Sequence, residues 1–534
     1  MHRTDSIMRI FGGLLARLTS LTRPQRHPRS PLVGPRNWLR RHWIVSSLVV
    51  LALLAGSLAW WRPWQTASPC GRGLTAVGSP HVCVGLDLET TAFKSIDPLS
   101  GLETGLASQN SKITSQYATV VLLDDMTPNP ETDSVAFQAL KYRIEGALTA
   151  AWRANNQAVA DGTLPTIKLL LANFGSGAAF WRQAVDAIER ASTSEHIIAV
   201  TGIGQSLDAT REAVAALSAA NIATVGSVVT ADSMNEDLTG KHIQNFFRVA
   251  PLNTDEAKAA LTYITKHAYK KILLAQDRNQ QDSYAQTLAS AFASTFESRS
   301  GVKVRYTESY QSPSVPLNGA TRDQYMTNQF AGMHSDICAD QPDLIYFAGR
   351  GTDLGSFLTA LSQGGACSLG PLDVMSGDDA STLVGMRMPS SGDLKIRVFY
   401  TGLAHSDEWN AFPPGSDNVK NYQQFTDAFA VNGFATADLA DGDAMMTHDA
   451  VLSAATAARI DQLAVTDPGT VAAYFLRFRC TKFIPGASGE IAFDQSGNPI
   501  DKAMPIIQIQ PDGSVTQEDL AWPTGKPLDT SATC

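Results

Sequence analysis

From residue 118 onward, short apolar, β-branched runs alternate with longer segments whose apolar residues recur every three or four positions. Ala118-Thr-Val-Val-Leu-Leu-Asp124 has the uninterrupted apolar character of a strand buried on both faces. Phe137, Leu140, Ile144, Leu148 and Ala151 then fall on one face of a predicted helix. Strand-like runs recur at 166–172, 196–201 and 222–228, separated by helical patterns carrying Trp181, Val185 and Ile188, and then Val214 and Leu217. A second series begins after residue 251. Asn253 and Glu256 resemble a capping pair ahead of a helix with Leu261 and Ile264. Strands follow at 270–276, 302–307, 343–348 and 396–402, with helices at 283–297 and around Phe357 and Leu361. Helical stretches at 419–430 and 444–460 and a strand-rich tail near 488–510 complete the pattern. Alternating strand and helix implies parallel strands joined by right-handed crossovers. The prediction is an α/β protein of two doubly wound parallel-sheet lobes.

One segment breaks the rhythm. Residues 44–61 carry no charge, and eighteen helical residues rise about 27 Å, close to the hydrocarbon core of about 30 Å. Trp43, Trp60, Trp61 and Trp64 sit at the ends, where amphipathic rings favour the membrane interface. A transmembrane helix at 43–61 is therefore expected. A cleaved signal peptide is the competing reading, with Thr66-Ala67-Ser68 as a weak processing site. Nine arginines and one acid precede the span, a net of +8, which places a basic arm (1–42) in the cytoplasm and the rest outside the cell membrane. The Gly/Ser/Thr-rich stretch 62–115 reads as a stalk with a disulfide-bearing element. The first lobe is expected at 116–250 plus about 404–465, and the second at 251–403 plus about 466–534.

This division changes the meaning of the overall charge. The chain has 534 residues and a formal net charge of −9, but residues 43–534 hold 33 bases against 50 acids, a net of −17. The net charge thus says little about nucleic-acid partners and much about topology. The basic arm could read as a nucleic-acid tail, but Arg-rich segments beside a span more often set topology, and no nucleic-acid partner is expected. All six cysteines, Cys70, Cys83, Cys338, Cys367, Cys480 and Cys534, follow the span, as suits disulfides in an oxidising compartment. Proximity suggests Cys70–Cys83 and Cys338–Cys367, leaving Cys480–Cys534, among about fifteen possible connectivities. No cysteine or histidine spacing suits a metal site.

Seven stretches occur in an order that resembles the type I periplasmic-binding-protein superfamily, particularly substrate-binding proteins of ABC transporters for branched-chain amino acids and amides. They are His196-Ile-Ile-Ala-Val-Thr-Gly-Ile-Gly-Gln-Ser206, Asn221-Ile-Ala-Thr-Val-Gly-Ser-Val-Val-Thr-Ala231 and Phe247-Arg-Val-Ala250. Ile272-Leu-Leu-Ala-Gln-Asp277 follows, leading into Asp282-Ser-Tyr-Ala-Gln-Thr-Leu288, then Asp343-Leu-Ile-Tyr-Phe-Ala-Gly349, His448-Asp-Ala-Val451 and Gly489-Glu-Ile-Ala-Phe-Asp-Gln-Ser-Gly497. The resemblance covers roughly 115–515 and implies two lobes closing on a small molecule. Ligands of open parallel sheets sit beyond the carboxyl ends of strands, near helix N-termini. Gln205 and Ser206 are placed there. By resemblance, Val228 and Thr230 would hold an α-amino acid, Tyr284 would cover it, and Asp378 would pair with its ammonium. Ser206 and Thr230 also suit helix caps, Tyr284 suits core packing, and Asp378 with Asp379 suits a solvated turn. Ala285 replaces an expected glycine. Arg350 stands at a strand end where amino-acid receptors usually have a neutral or aromatic residue; facing the cleft, it favours a second acidic group on the ligand, and otherwise it is a surface arginine.

Enzymatic signatures are missing. Gly202-Ile-Gly204 is too short for a dinucleotide fingerprint, and no Walker loop or nucleophile elbow occurs. His448-Asp449 lies in a helical pattern and reads as a hydrogen-bonded structural pair. The expectation is a membrane-anchored, extracytoplasmic solute-binding protein without a cofactor. It would take a small polar, amino-acid-like ligand and work with a separate ABC permease. A ligand-sensing ectodomain coupled to a sensor protein, or a non-binding module of the same fold, remain alternatives.

Overall fold

Buried strands of Val, Leu and Ile need cover on both faces, and the chain supplies it twice. The computed structural model describes residues 70–526, apart from 79–80, 115, 130–132, 134–136, 158, 161, 301–303, 305, 314–316, 364–370, 390–394 and 480–481. The expected cytoplasmic arm and membrane span, and Cys367, Cys480 and Cys534, lie outside the described residues. Among the described residues, no helix is long and apolar enough to cross a membrane.

The first sheet contains β1 (Leu74–Val77), β2 (Val82–Asp87), β3 (Tyr117–Asp124), β4 (Thr166–Asn173), β5 (Ile197–Gly202), β6 (Ala223–Gly226) and β7 (Phe246–Arg248), in the order β1-β2-β4-β3-β5-β6-β7. β4 through β7 pair in parallel, while β1 and β2 add an antiparallel edge. The second sheet holds β8 (Ile272–Asp277), β9 (Tyr306–Tyr310), β10 (Leu344–Ala348), β11 (Leu372–Ser376), β12 (Ile396–Thr401), β15 (Met504–Ile509) and β16 (Val515–Ala521). Its order is β16-β15-β12-β11-β10-β8-β9, with β15 and β16 antiparallel. A small hairpin joins β13 (Ile484–Gly486) and β14 (Gly489–Ile491). Each sheet is covered on both faces by helices through separate apolar clusters. Both sheets are thus mixed rather than purely parallel.

Two expectations are corrected. The segment read as a stalk builds β1, β2 and the helix Leu99–Asn110 onto the first lobe. Cys70 and Cys83 are disulfide-bonded across that hairpin, and Gly85 of β2 pairs with Asn173 of β4. Its glycines hid the strands. The boundary near residue 465 also moves. The helix Pro468–Phe475 and the β13–β14 hairpin pack on the first lobe, with Phe475 stacked on Phe247 at 4.6 Å between ring centroids. Cys338 is also disulfide-bonded.

The chain passes between lobes at 249–252, at 402–405 and at 494–503. Arg248, fully buried at the start of the first passage, links it to the third by donating to Asn498 Oδ1 at 2.9 Å, and it also donates to the carbonyl of Ala231 at 2.6 Å. Gly497 has φ +78°, and a Cβ there would collide with the carbonyl of Phe246. Only glycine fits this close passage without strain. Within the first lobe, the helices Phe137–Asn156 and Asp443–Ala458 cross where Gly146 meets the backbone of Ala444.

His448 and Asp449 sit in that second helix with no exposed surface. Arg153 has only donors, so His448 Nε2 accepts from it at 2.9 Å and Nδ1–H donates to Asp449 at 2.7 Å. Burial lowers the histidine pKa, in keeping with a neutral ring. Asp449 also accepts from the backbone N–H groups of Ala487 and Ser488, at 2.6 and 2.9 Å. The pair fastens the β13–β14 hairpin to the helix.

Candidate functional site

The loops at the carboxyl ends of β5, β6, β8, β10 and β11 converge between the lobes. After β5, Gly202 and Gly204 take positive φ and turn the chain toward the helix Asp208–Ala219. Ser206 lies in this turn, 2 % exposed, and its hydroxyl accepts from the backbone N–H of Ala231 at 3.2 Å. The helix N-cap is Leu207, so Ser206 is not its cap. Thr230 follows β6 and donates to Asp378 Oδ1 at 3.1 Å, across from one lobe to the other. No helix is capped by its hydroxyl among the described residues.

On the second lobe, Asp282 accepts from the backbone N–H of Ala285 at 3.1 Å, within the first turn of the helix Ser283–Ser300. Asp379 accepts in the same way from Gly351 at 2.7 Å, at the start of the helix Gly351–Gln363. Carboxylates are favoured at these helix ends. Arg350 lies between them. It donates to both oxygens of Asp282 at 2.7 and 2.8 Å, to Asp379 Oδ1 at 3.2 Å, and to the carbonyl of Ser206 at 3.1 Å. Its guanidinium also covers the ring of Tyr284 at 4.7 Å. Burial disfavours the arginine charge, but Asp282 and Asp379 more than offset this, so the net shift is upward. Arg350 faces the cleft, yet its charge is taken up by two aspartates. It is not the spare cation that a second acidic group on a ligand needs.

Tyr284 is buried with its hydroxyl accepting from the backbone N–H of Asp379 at 3.2 Å, and its own N–H reaches the carbonyl of Ser206 at 3.3 Å. Asp378 is 8 % exposed. Burial first, and then Asp379, push its carboxyl up to about 7. Behind it, Glu256 Oε2 accepts from the backbone N–H of Asp378 at 2.9 Å and from Thr401 at 2.7 Å. Burial and the proximity of Asp378 hold Glu256 well above the usual carboxylate range. Asn253 and Glu256 therefore do not form the expected capping pair; both side chains turn inward to other elements.

Gln205, Ser206, Val228, Tyr284, Arg350 and Asp378 line one cavity of about 40 Å³, and Thr230 supports it through Asp378. Sequence reasoning missed its other wall. Arg143, on the helix Phe137–Asn156, donates to Asp443 Oδ2 at 2.8 Å and to Asp124 at 3.2 Å. Asp441 and Asp443 stand beside it and face Asp378 and Asp379 across the cleft. Burial, followed by the neighbouring Asp443, raises Asp441. This narrow waist shares Gln205 and Arg350 with a chamber of about 490 Å³, and Ala139 and Asp441 with another of about 520 Å³. Chambers of this size match small-molecule sites. No three metal-ligating side chains converge among the described residues.

No protein-family model and no curated protein sequence matches the chain. Solved structures do. A leucine-binding protein of Thermotoga maritima superposes with a TM-score of 0.54 at 17% identity, over 76% of this chain and 98% of that one. The branched-chain amino acid transporter substrate-binding protein of Streptococcus pneumoniae, solved with isoleucine, gives 0.53 at 15% identity, over 76% and 99%. An ABC-transporter solute-binding protein of R. palustris, solved with 4-hydroxybenzoate, gives 0.54 at 15% identity, over 76% and 96%. The chain has the type I periplasmic-binding-protein fold.

Proposed function

We propose that this chain, built on the type I periplasmic-binding-protein fold, is an extracytoplasmic solute-binding protein. It captures a small polar, amino-acid-like ligand by closure of its two lobes and passes it to an ABC permease. One observation carries the reading. Loops at the carboxyl ends of strands from both lobes form the walls of a single cleft, and the side chains that meet there hydrogen-bond from one lobe to the other. Such an arrangement makes closure and binding one event, because each wall holds only part of the site. Asp378 and Thr230 suit an ammonium, and the backbone of Gly204-Gln205-Ser206 suits the other end of the ligand. Residues 43–61 would anchor the protein, with its N-terminus in the cytoplasm and its body outside.

Thermal unfolding of the full chain against a panel of amino acids and amides tests this function. A ligand at one hundred times its Kd stabilises by about 2.7 kcal/mol, a readily measured rise in Tm. A chain whose Tm moves with no member of the panel contradicts the proposal.

A further inference from the structure

The charge of the cleft says more about its occupant than its shape does. The residues lining the waist and both chambers include ten aspartates against three arginines, with no lysine among those described. The acidity of the exported body does not account for this, since that body has 33 bases to 50 acids. All three arginines are engaged. Arg143 pairs with Asp124 and Asp443, Arg322 with Asp353, and Arg350 with Asp282 and Asp379.

The excess is also placed on both walls. Asp441 and Asp443 belong to the first lobe, Asp378 and Asp379 to the second, and they border the same narrow waist. Burial disfavours the charge of Asp443 and Arg143 opposes that effect, with Asp124 and, across the gap, Asp379 adding smaller repulsions. Arg143 neutralises Asp443 and Arg350 neutralises Asp379. That leaves Asp378 and Asp441, one on each wall, as the waist carboxyls without an ion pair among the described residues. A positive group placed between them favours the charged form of both. The aspartates are spread along the waist, and no three of them converge closely enough to hold a metal ion. A flexible organic cation reaches separated carboxylates, whereas an anion such as the 4-hydroxybenzoate of the R. palustris protein meets no unpaired cation among the described lining.

We propose that the ligand carries more positive than negative charge, as a basic α-amino acid or an aliphatic diamine does. Its ammonium or guanidinium groups bridge Asp378 on one wall and Asp441 on the other. This rests on the solute-binding function proposed above and names the ligand class for the same cleft.

Isothermal titration of the full chain with arginine, lysine, ornithine and putrescine, beside leucine, glutamate and 4-hydroxybenzoate, tests it. At least one cation is expected to bind ten times more tightly than any neutral or anionic probe. Preference for the amino acids over putrescine identifies the α-carboxylate as a second anchor, and the reverse identifies a diamine site. Asp441→Asn is expected to weaken the best cation about tenfold, with circular dichroism reporting that the variant is folded. Tighter binding of leucine, glutamate or 4-hydroxybenzoate than of every cation overturns the inference and leaves the solute-binding function standing. Binding of no probe overturns both.

Discussion

The guanidinium of Arg350, in the second lobe, donates to the carbonyl oxygen of Ser206, in the first, at 3.1 Å. The same group is held in place by both oxygens of Asp282. Arg350→Ala removes a link between the lobes and leaves buried carboxylates unpaired. Breaking a buried pair in this way costs about 3–5 kcal/mol. The variant is expected to unfold at lower denaturant and to show a larger radius of gyration by solution scattering. Arg350→Lys restores the charge but not the two-pronged geometry, and should recover only part of both effects.

Asp378 makes the cleft sensitive to pH. Burial and Asp379 raise its pKa, Thr230, Glu256 and Arg350 moderate the shift, and the result is about 7. An aspartate ordinarily titrates near 3.9 when unfolded. A carboxyl that holds its proton more tightly in the fold stabilises the protein below about pH 4, and that contribution is lost as the pH rises through about 7. Denaturation of the ligand-free protein from pH 4 to pH 8 should show stability falling. Asp378→Asn should reduce the slope by up to about 1.4 kcal/mol per pH unit. A slope unchanged in the variant removes Asp378 from the account.

Gly146 offers a test in which two effects oppose each other. In an exposed helix, glycine to alanine gains about 1 kcal/mol of helix propensity. Here the added Cβ meets the carbonyl of Ala444 on the crossing helix, and overpacking costs about 1–3 kcal/mol or more. Gly146→Ala should therefore lower the urea midpoint, whereas a rise would mean that the two helices separate easily.

The disulfide between Cys70 and Cys83 closes a loop with a sequence separation of 13. Because this hairpin is part of the first sheet, replacing both cysteines with serine should cost the whole lobe about 3 kcal/mol. A pendant stalk would leave lobe stability unchanged, so calorimetry separates the two arrangements.

Strands such as β3 and β10 were readable because both faces are buried and every position is apolar. β11 was not, because Asp373 interrupts Leu372–Ser376; that carboxylate is accommodated by Arg397 at 2.6 and 2.7 Å. β1 and β2 are short and rich in flanking glycine, and they are held by pairing with β4, a relationship with no local signal. The site divides in the same way. Loops following strongly apolar strands pointed to Ser206 and Arg350, whereas Thr230, Tyr284 and Asp378 were reached only through the family resemblance. Arg143 and Asp443, 300 residues apart, meet only because two helices cross, and Arg143 in isolation reads as a solvated helix position. Glu256 resembled a cap because spacing alone does not reveal that its side chain turns toward Asp378.

Titration calorimetry of the full chain with the best ligand of the panel, repeated on Asp378→Asn and Tyr284→Phe, addresses the central claim most directly. The account predicts one ligand per chain and an affinity at least tenfold weaker in Asp378→Asn. Binding that is unchanged in both variants, or no binding by the wild-type chain, contradicts the assignment of the cleft as the ligand site.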